Sequence, residues 1–347
     1  MLEWEHLERA LVKKSRRNNV SCGIAMLVDA ETGHRSRSGK FVPDRGSVEA
    51  YVLRALRSRY RDTEVVPFGP SVYETIAELR RLSPQMIFNL TEWIDGDRRL
   101  DYAIAALLEV LKMRYTGAGP LGLQLCRNKA LSKQIVGQLG IAVPRYFTST
   151  GRLPAHVREW PSALLVKPQF GDGSDAIGKN SLVETSNELR NRIRALCRRG
   201  NGPVICEEFI SGRDIYVPML GNPARVLPPI EMVVGCKQMA APQFATYRVK
   251  NDARYASKWR VRYRNAKLGK SLLSKIAAAS RKIFDALELR DYARLDFRLT
   301  PDDQLFFIEA NPNPDLSPHA FGSNAGLVGV DHVSLILSIV ADARRRC

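Results

Sequence analysis

No uninterrupted apolar run in these 347 residues approaches the roughly 20 that a membrane-spanning helix needs. The start, Met1-Leu2-Glu3-Trp4-Glu5, has no basic segment leading into an apolar core, so no secretory leader is expected and the chain reads as cytoplasmic. Histidine is scarce, at five residues, which argues against metal chemistry built on imidazole. Cysteine is scarce as well. The six thiols (Cys22, Cys126, Cys197, Cys206, Cys236, Cys347) form no C-x-x-C pair and no Cys/His cluster, a pattern that excludes a zinc ribbon and a disulfide scaffold. No G-x-G-x-x-G follows the first apolar run, so no dinucleotide site is indicated. Internal repeats and low-complexity tracts are also missing.

Acidic residues are outnumbered, 36 against 53 Lys and Arg, which leaves a formal charge of +17. Such an excess fits an anionic partner: nucleic acid, an acidic membrane surface, or a small anion such as a nucleotide. The charge concentrates in Lys13-Lys14-Ser15-Arg16-Arg17, Arg198-Arg199, Arg344-Arg345-Arg346 and the stretch from Arg248 to Lys270. That last stretch carries nine Lys or Arg against the single acid Asp252, interleaved with Tyr247, Tyr255, Trp259 and Tyr263 just before or within it. The bulk composition, 45% hydrophobic and 26% charged, is that of a globular protein long enough for two or three subdomains.

Residues 1–19 read as a basic helical arm. Cys22 to Val28 is a short apolar run ending at Asp29, which suits a buried parallel strand, and a polar loop follows it. Helical spacing then covers 48–56, a strand 64–68, a helix 71–82, the strand 86–90 and a helix 99–112. Alternation of this kind predicts an α/β sheet with right-handed crossovers. After Gly117-Ala118-Gly119-Pro120 a helix is expected over 121–140, followed by strands at 163–168, 204–209 and 214–220. An amphipathic helix over 271–288, a hairpin over 292–311 and a final helix over 331–345 complete the pass.

The hairpin carries the clearest chemistry. Arg294, Asp296 and Arg298 alternate onto one face of the first strand, and Glu309 and Asn311 share a face of the second. A two-residue loop at Asp302-Asp303 would set Asp296 opposite Glu309 and Arg294 opposite Asn311, with the carboxylates about 5 Å apart. Two carboxylates so placed repel unless a cation lies between them, and oxygen-only ligands suit Mg²⁺. The alternative is a solvated hairpin whose acids pair with Arg294 and Arg298. Pro312-Asn313-Pro314-Asp315 favours the metal, as a rigid exit that holds backbone N–H groups beside it.

Lys167 ends an apolar strand and precedes a glycine loop, Gln169 to Gly178, that includes Gly173 and Ser174. A lysine beside loop amides suits a phosphate, although the loop lacks the P-loop spacing and also reads as a plain hairpin turn. In Cys206-Glu207-Glu208-Phe209-Ile210-Ser211-Gly212-Arg213-Asp214, carboxylates flank apolar residues, a pattern able to read an adenine and its ribose.

In order along the chain, Tyr115-Thr116-Gly117-Ala118-Gly119, Arg127 to Lys133, Val143-Pro144-Arg145-Tyr146, Val166-Lys167-Pro168, Glu207-Glu208-Phe209-Ile210 and Arg294-Leu295-Asp296 with Glu309-Ala310-Asn311 resemble the ATP-grasp superfamily. Within it they resemble the D-alanine–D-alanine ligase family, over about Phe88 to Leu327. The resemblance implies an α/β and α+β fold: an N-terminal Rossmann-like pre-ATP-grasp domain, then a two-lobed ATP-grasp module. The expected divisions are the arm 1–19, a substrate domain 20–120, a central lobe 121–205 and a C-terminal lobe 206–347 with the metal site. It implies ATP and two Mg²⁺ ions as cofactors, with Lys129, Lys167, Gly173 and Ser174 at the phosphates. Glu207, Glu208, Phe209 and Ile210 would lie at the adenine and Asp214 at the ribose. Asp296, Glu309 and Asn311 would hold the metal, and Arg294 would meet the reacting carboxylate. Tyr247-Arg248-Val249-Lys250 is similar to the family's lid, whose lysine, here Lys250, closes on the phosphates.

The implied activity joins a small-molecule carboxylate to an amine through an acyl-phosphate, with no nucleic acid and no membrane involved; a homodimer is in keeping with the family. The substrate positions depart from the pattern. Asp29-Ala30-Glu31-Thr32-Gly33 stands where a glutamate usually holds the first amino group, and Asn89-Leu90-Thr91-Glu92-Trp93 replaces a histidine–glycine segment. Asp315 to Phe321 replaces the usual turn-rich end with its downstream serine. Two alternatives follow: a ligase acting on a specialised-metabolite carboxylate, or a non-catalytic basic scaffold for nucleic acid or acidic surfaces.

Overall fold

The computed structural model describes residues 22–153, 163–171, 176–200, 202–235, 246–318, 326 and 329–346. The expected arm 1–19, and Gly173 and Ser174 of the glycine loop, lie outside the described residues. The chain divides into two compact units.

The first unit comprises residues 1–120, 221–223 and 315–347. At its centre β1 (Ile24–Asp29), every residue of which is buried, pairs in parallel with β4 (Glu64–Phe68) and β5 (Met86–Asn89). A continuous apolar run forms this middle strand because both of its faces are covered. Helices Val48–Arg57, Val72–Leu82 and Asp101–Val110 follow the strands. Ser47 and Ser71 cap the first two by accepting from the backbone N–H of Ala50 and Glu74. The polar loop expected after β1 contains a small hairpin, β2 (Gly33–Arg35) with β3 (Phe41–Pro43).

Helix His332–Arg346 buries Leu335, Ile336, Ile339, Val340 and Ala343 and packs on Val48–Arg57. This corrects the expected division at 206–347: residues 315–347 fold with the N-terminal unit. The apolar stripe of that helix predicted that it packs, but not on which body.

The second unit comprises 121–220 and 224–314 and holds two antiparallel sheets. One is four-stranded, β6 (Tyr146–Ser149), β9 (Val204–Glu208), β7 (Leu164–Pro168) and β8 (Leu182–Val183), in that order. Helix Ser186–Arg198 covers it, started by a capping box between Thr185 and Glu188. Because β9 is an inner strand here, the lobe division expected at 205/206 moves beyond Glu208.

The second sheet runs β13 (Val261–Asn265), β12 (Ile230–Val234), β10 (Arg213–Leu220), β14 (Tyr292–Leu299) and β15 (Leu305–Asn311), with β11 (Arg225–Val226) also on β10. Helix Lys270–Ala286 supplies Ile276, Ile283 and Phe284 to a core shared with Ile215, Val217, Leu295, Phe297 and Phe307.

The single helix expected over 121–140 is two, Pro120–Arg127 and Lys129–Gln138. Asn128 breaks it. Its Oδ1 accepts from Leu131 N at 3.2 Å and from Gln169 Nε2 at 2.9 Å, so it restarts the helix as an N-cap while tied to the loop after β7. Among the described residues no helix is long and apolar enough to cross a membrane.

Candidate active site

The site lies in the second unit and is built around the β14–β15 hairpin. Asp296 stands opposite Glu309 and Arg294 opposite Asn311, the expected pairing, but the turn that produces it is different. The strands close at Leu299 and Leu305, leaving a five-residue connection rather than Asp302-Asp303 alone. Asp303 N donates to Thr300 O at 3.1 Å and Asp303 adopts φ 61°, a tight turn followed by one left-handed residue. The longer turn shifts the register by one residue, and a β-bulge at Ile308 shifts it back. The bulge also resets the alternation. Leu305, Phe307 and Ala310 enter the core, while Ile308 and Glu309 both line the cleft.

Asp296 is held by Arg294, whose Nε and Nη2 donate to its two oxygens at 2.7 and 2.9 Å. Burial works against the Arg294 cation, and this fork more than restores it, so the guanidinium stays charged. Tyr216, opposite Asp296 on β10, sets its ring 5.2 Å from the Arg294 guanidinium.

The four-stranded sheet contributes Lys167 at the end of β7. Its Nζ lies 2.9 Å from Glu207 Oε2, and Lys133 Nζ lies 3.0 Å from Glu207 Oε1, all three side chains at most 2% exposed. Burial raises a carboxyl, but two ammonium neighbours reverse this and hold Glu207 below its ordinary range. Burial lowers a lysine, yet Glu207 and Glu309 hold Lys167 above its ordinary value. Burial prevails at Lys133, which falls to about 8 against the pull of Glu207. Both oxygens of Glu207, expected at the adenine, face lysines here, and the residue also lines the cleft. On the opposite face of β9 the neighbouring Glu208 is partly exposed.

Lys167, Glu207, Glu208, Phe209, Ile210, Asp214, Asp296 and Glu309 line one cleft. Lys129, Gly171, Glu309 and Asn311 line a smaller recess. Lys129 opens its helix and donates from Nζ to Gly171 O. Arg298 braces the other end of the cleft, with Nη1 2.7 Å from Asp214 Oδ1 and Nε 2.9 Å from Ile210 O. Lys250 falls in helix Tyr247–Asn251, but its side chain lies outside the described parts. That segment is tied to the end of the glycine loop, where Tyr247 N donates to Ile177 O at 3.0 Å. Of the aromatics of the basic stretch, Tyr255 and Trp259 are buried, while Tyr247 and Tyr263 are exposed. Val249, Tyr255 and Trp259 form a cluster with Tyr216 and Met232.

Among the described residues no three acidic, histidine or cysteine side chains converge. A cation here would take two carboxylates and the Asn311 amide, an all-oxygen set completed by a bound phosphate or water. That set fits Mg²⁺, which keeps part of its shell for such oxygens. Lys133 was given no site role from the sequence, and Arg298 was read only as a possible partner of the hairpin's acids, whereas it pairs with Asp214. The signals existed: Lys133 is four residues from Lys129 on one helix, and Arg298 shares the alternating face of Asp296.

In the first unit, Asp29 at the end of β1 accepts from the backbone N–H of Glu92 and Trp93, at 3.1 to 3.2 Å. Burial pushes its carboxyl up to about 7, and the two amides only partly oppose this. Arg98 pairs with Glu92 and stacks on Trp93, 4.8 Å from the ring centre. Trp93 is on the surface rather than in a core.

A family model described as D-ala D-ala ligase C-terminus matches residues 140–341. An uncharacterized protein of Sinorhizobium fredii is 32% identical over 264 residues, 75% of each chain. A D-alanine–D-alanine ligase of Aquifex aeolicus is 30% identical over 292 residues, covering 84% of this chain and 91% of that one. Among solved structures, a D-alanine–D-alanine ligase from Bacillus anthracis complexed with ATP superimposes with a TM-score of 0.71 at 18% identity, over 93% of this chain and 98% of that one. A D-Ala:D-Ser ligase from Enterococcus faecalis gives 0.66 at 16% identity, over 93% of this chain and 100% of that one.

Proposed function

The chain belongs to the D-alanine–D-alanine ligase family, and on that footing we propose that it is an ATP- and Mg²⁺-dependent cytoplasmic enzyme joining a carboxylate to an amine. The observation that carries the reading is the pairing of Asp296 with Glu309 at a cleft that also holds Lys167 and Asp214. Two adjacent carboxylates beside a buried cation make sense where a metal–triphosphate is to be bound.

The adenine lies against Phe209 and the backbone near Ile210, with Glu208 at its edge, and the ribose at Asp214. Lys129 and Lys167 contact the phosphates. Asp296, Glu309 and Asn311 would hold the metal, and Mg²⁺ bound there would supply neutralisation of charge on the transferring phosphoryl group. The first substrate's carboxylate attacks the γ-phosphorus and ADP leaves. The amine then attacks the acyl carbon of the acyl-phosphate and phosphate leaves, giving the amide. Arg294 stabilises the carboxylate and the oxyanion, and loss of such a group costs on the order of 10²–10³ in rate.

D-Alanine is the first substrate to try, and other small amino acids follow because Asp29 and Trp93 stand at divergent substrate positions. A screen of amino-acid pairs for ADP release tests the reading. Pair-dependent ADP supports it, and ATP binding without turnover on any carboxylate–amine pair would count against a ligase.

A further inference from the structure

Two features of the site have no role in the mechanism so far: a fully buried second lysine, and a bulge in the strand that carries Glu309. They meet. Lys133 Nζ contacts Glu207 Oε1 at 3.0 Å and donates to the carbonyl of Ile308, the extra residue of the bulge. Its ammonium lies 5.9 Å from the centre of the Phe307 ring. A bulge leaves one backbone carbonyl outside the ladder, and a buried carbonyl without a partner is costly. Lys133 supplies that partner from a helix, and the next residue along the strand is Glu309.

The charge count also matters. A buried lysine facing one carboxylate forms a neutral pair with little attraction left for an anion. Here two lysines share Glu207, so Lys133 offsets part of the negative charge that Glu207 and the nearby Glu309 place on Lys167. Lys133 is enclosed at 0% side-chain exposure, whereas Lys167 lines the cleft. Of the two, Lys167 is therefore the lysine that meets an anion in the cleft.

We infer that Lys133 is a positioning residue for the phosphate site, keeping Lys167 electrostatically free for ATP and fixing the bulge that aims Glu309. The inference rests on the assignment of Lys167 and Glu309 to ATP and metal made above. Lys133 touches neither substrate nor metal and acts through those two residues.

The test is a double-mutant cycle on the full chain, with ATP affinity in Mg²⁺ measured by calorimetry for wild type, Lys133→Gln, Lys167→Met and the double variant. Gln removes the charge while keeping an N–H for the Ile308 carbonyl. The expected result is about tenfold weaker ATP binding for Lys133→Gln, and a change below about twofold in the Lys167→Met background, as coupling within one network requires. Equal factors in both backgrounds would overturn the inference, and so would a lowered melting temperature with unchanged ATP affinity. Should Lys133→Gln not fold, the cycle is run with Lys133→Met, judged by the same two results. Wild type that binds no ATP would overturn the functional reading and this inference together. Wild type that binds ATP, with independent effects of the two lysines, would overturn the inference alone.

Discussion

Arg294 and Asp296 occupy the same strand face two residues apart, and side-chain chemistry decides how they meet. Arg294 forks onto Asp296, while Glu309 faces the same carboxylate across the ladder. Arg298, one alternation further, does the same service for Asp214 and the Ile210 carbonyl. Arg298→Lys should therefore raise the KM for ATP about tenfold with kcat little changed, since a planar fork that orients two acceptors is lost while the reacting groups stay in place. Steady-state kinetics against ATP checks this; a fall in kcat alone would contradict it.

Asp29 offers a pH test. Its folded pKa, about 7, lies above the unfolded value of 3.8, so its contribution is fully present below about 3.8 and is lost as pH rises through 7. Asp29→Asn should thus gain stability relative to wild type above pH 7, the difference shrinking towards pH 5. Melting temperatures of both proteins across that range check it. A constant difference would mean that the carboxylate is ionised and held by the Glu92 and Trp93 amides. Asp296, Glu309, Asn311 and Arg294 were legible in the sequence because strand alternation fixes faces. The pairing of Glu207 with Lys133 and Lys167 was not legible because the two lysines come from a helix and a different strand, contacts that no local spacing encodes.

At the level of elements, the hairpin reached the expected pairing by two offsetting departures. A turn longer than the expected one moves the register, and the bulge at Ile308 returns it. Neither leaves a mark in the alternation of polar and apolar residues around Asp296, so the pairing was legible and its cause was not. The division of 121–140 into two helices has a similar origin. Asn128 reads as a tolerable helical residue until Gln169, far along the chain, bonds its side chain. Asn128→Ala should cost about 1 kcal/mol, the usual value of an N-cap. Chemical denaturation checks it, and an unchanged midpoint would remove the cap from the account. The α/β alternation of the first unit and the β14–β15 hairpin of the second were anticipated from periodicity, whereas the pairing of the other strands of the second unit was not.

For the molecule as a whole, the net charge of +17 invites a polyanion, but half of the aromatics interleaved with the basic stretch serve the fold, Tyr247 and Tyr263 alone being exposed. Tyr255 and Trp259 are buried, at 9% and 4% exposure, in the cluster beneath the basic stretch. Nucleotide turnover should accordingly change little between 50 and 200 mM salt, where a nucleic-acid binder making several phosphate contacts loses about 10³ or more in affinity. The placement of 315–347 with the first unit was the least legible feature, since an amphipathic helix specifies a buried face but not the surface that covers it.

The central claim is that Asp296 and Glu309 together hold the metal against ATP. The most direct measurement is amino-acid-dependent ADP release by wild type, Asp296→Asn and Glu309→Gln, each with Mg²⁺ and with chelator. Activity in wild type that needs Mg²⁺ and falls on the order of 10³-fold or more in both variants is the result expected. Full turnover by either variant in the presence of Mg²⁺ would contradict the account.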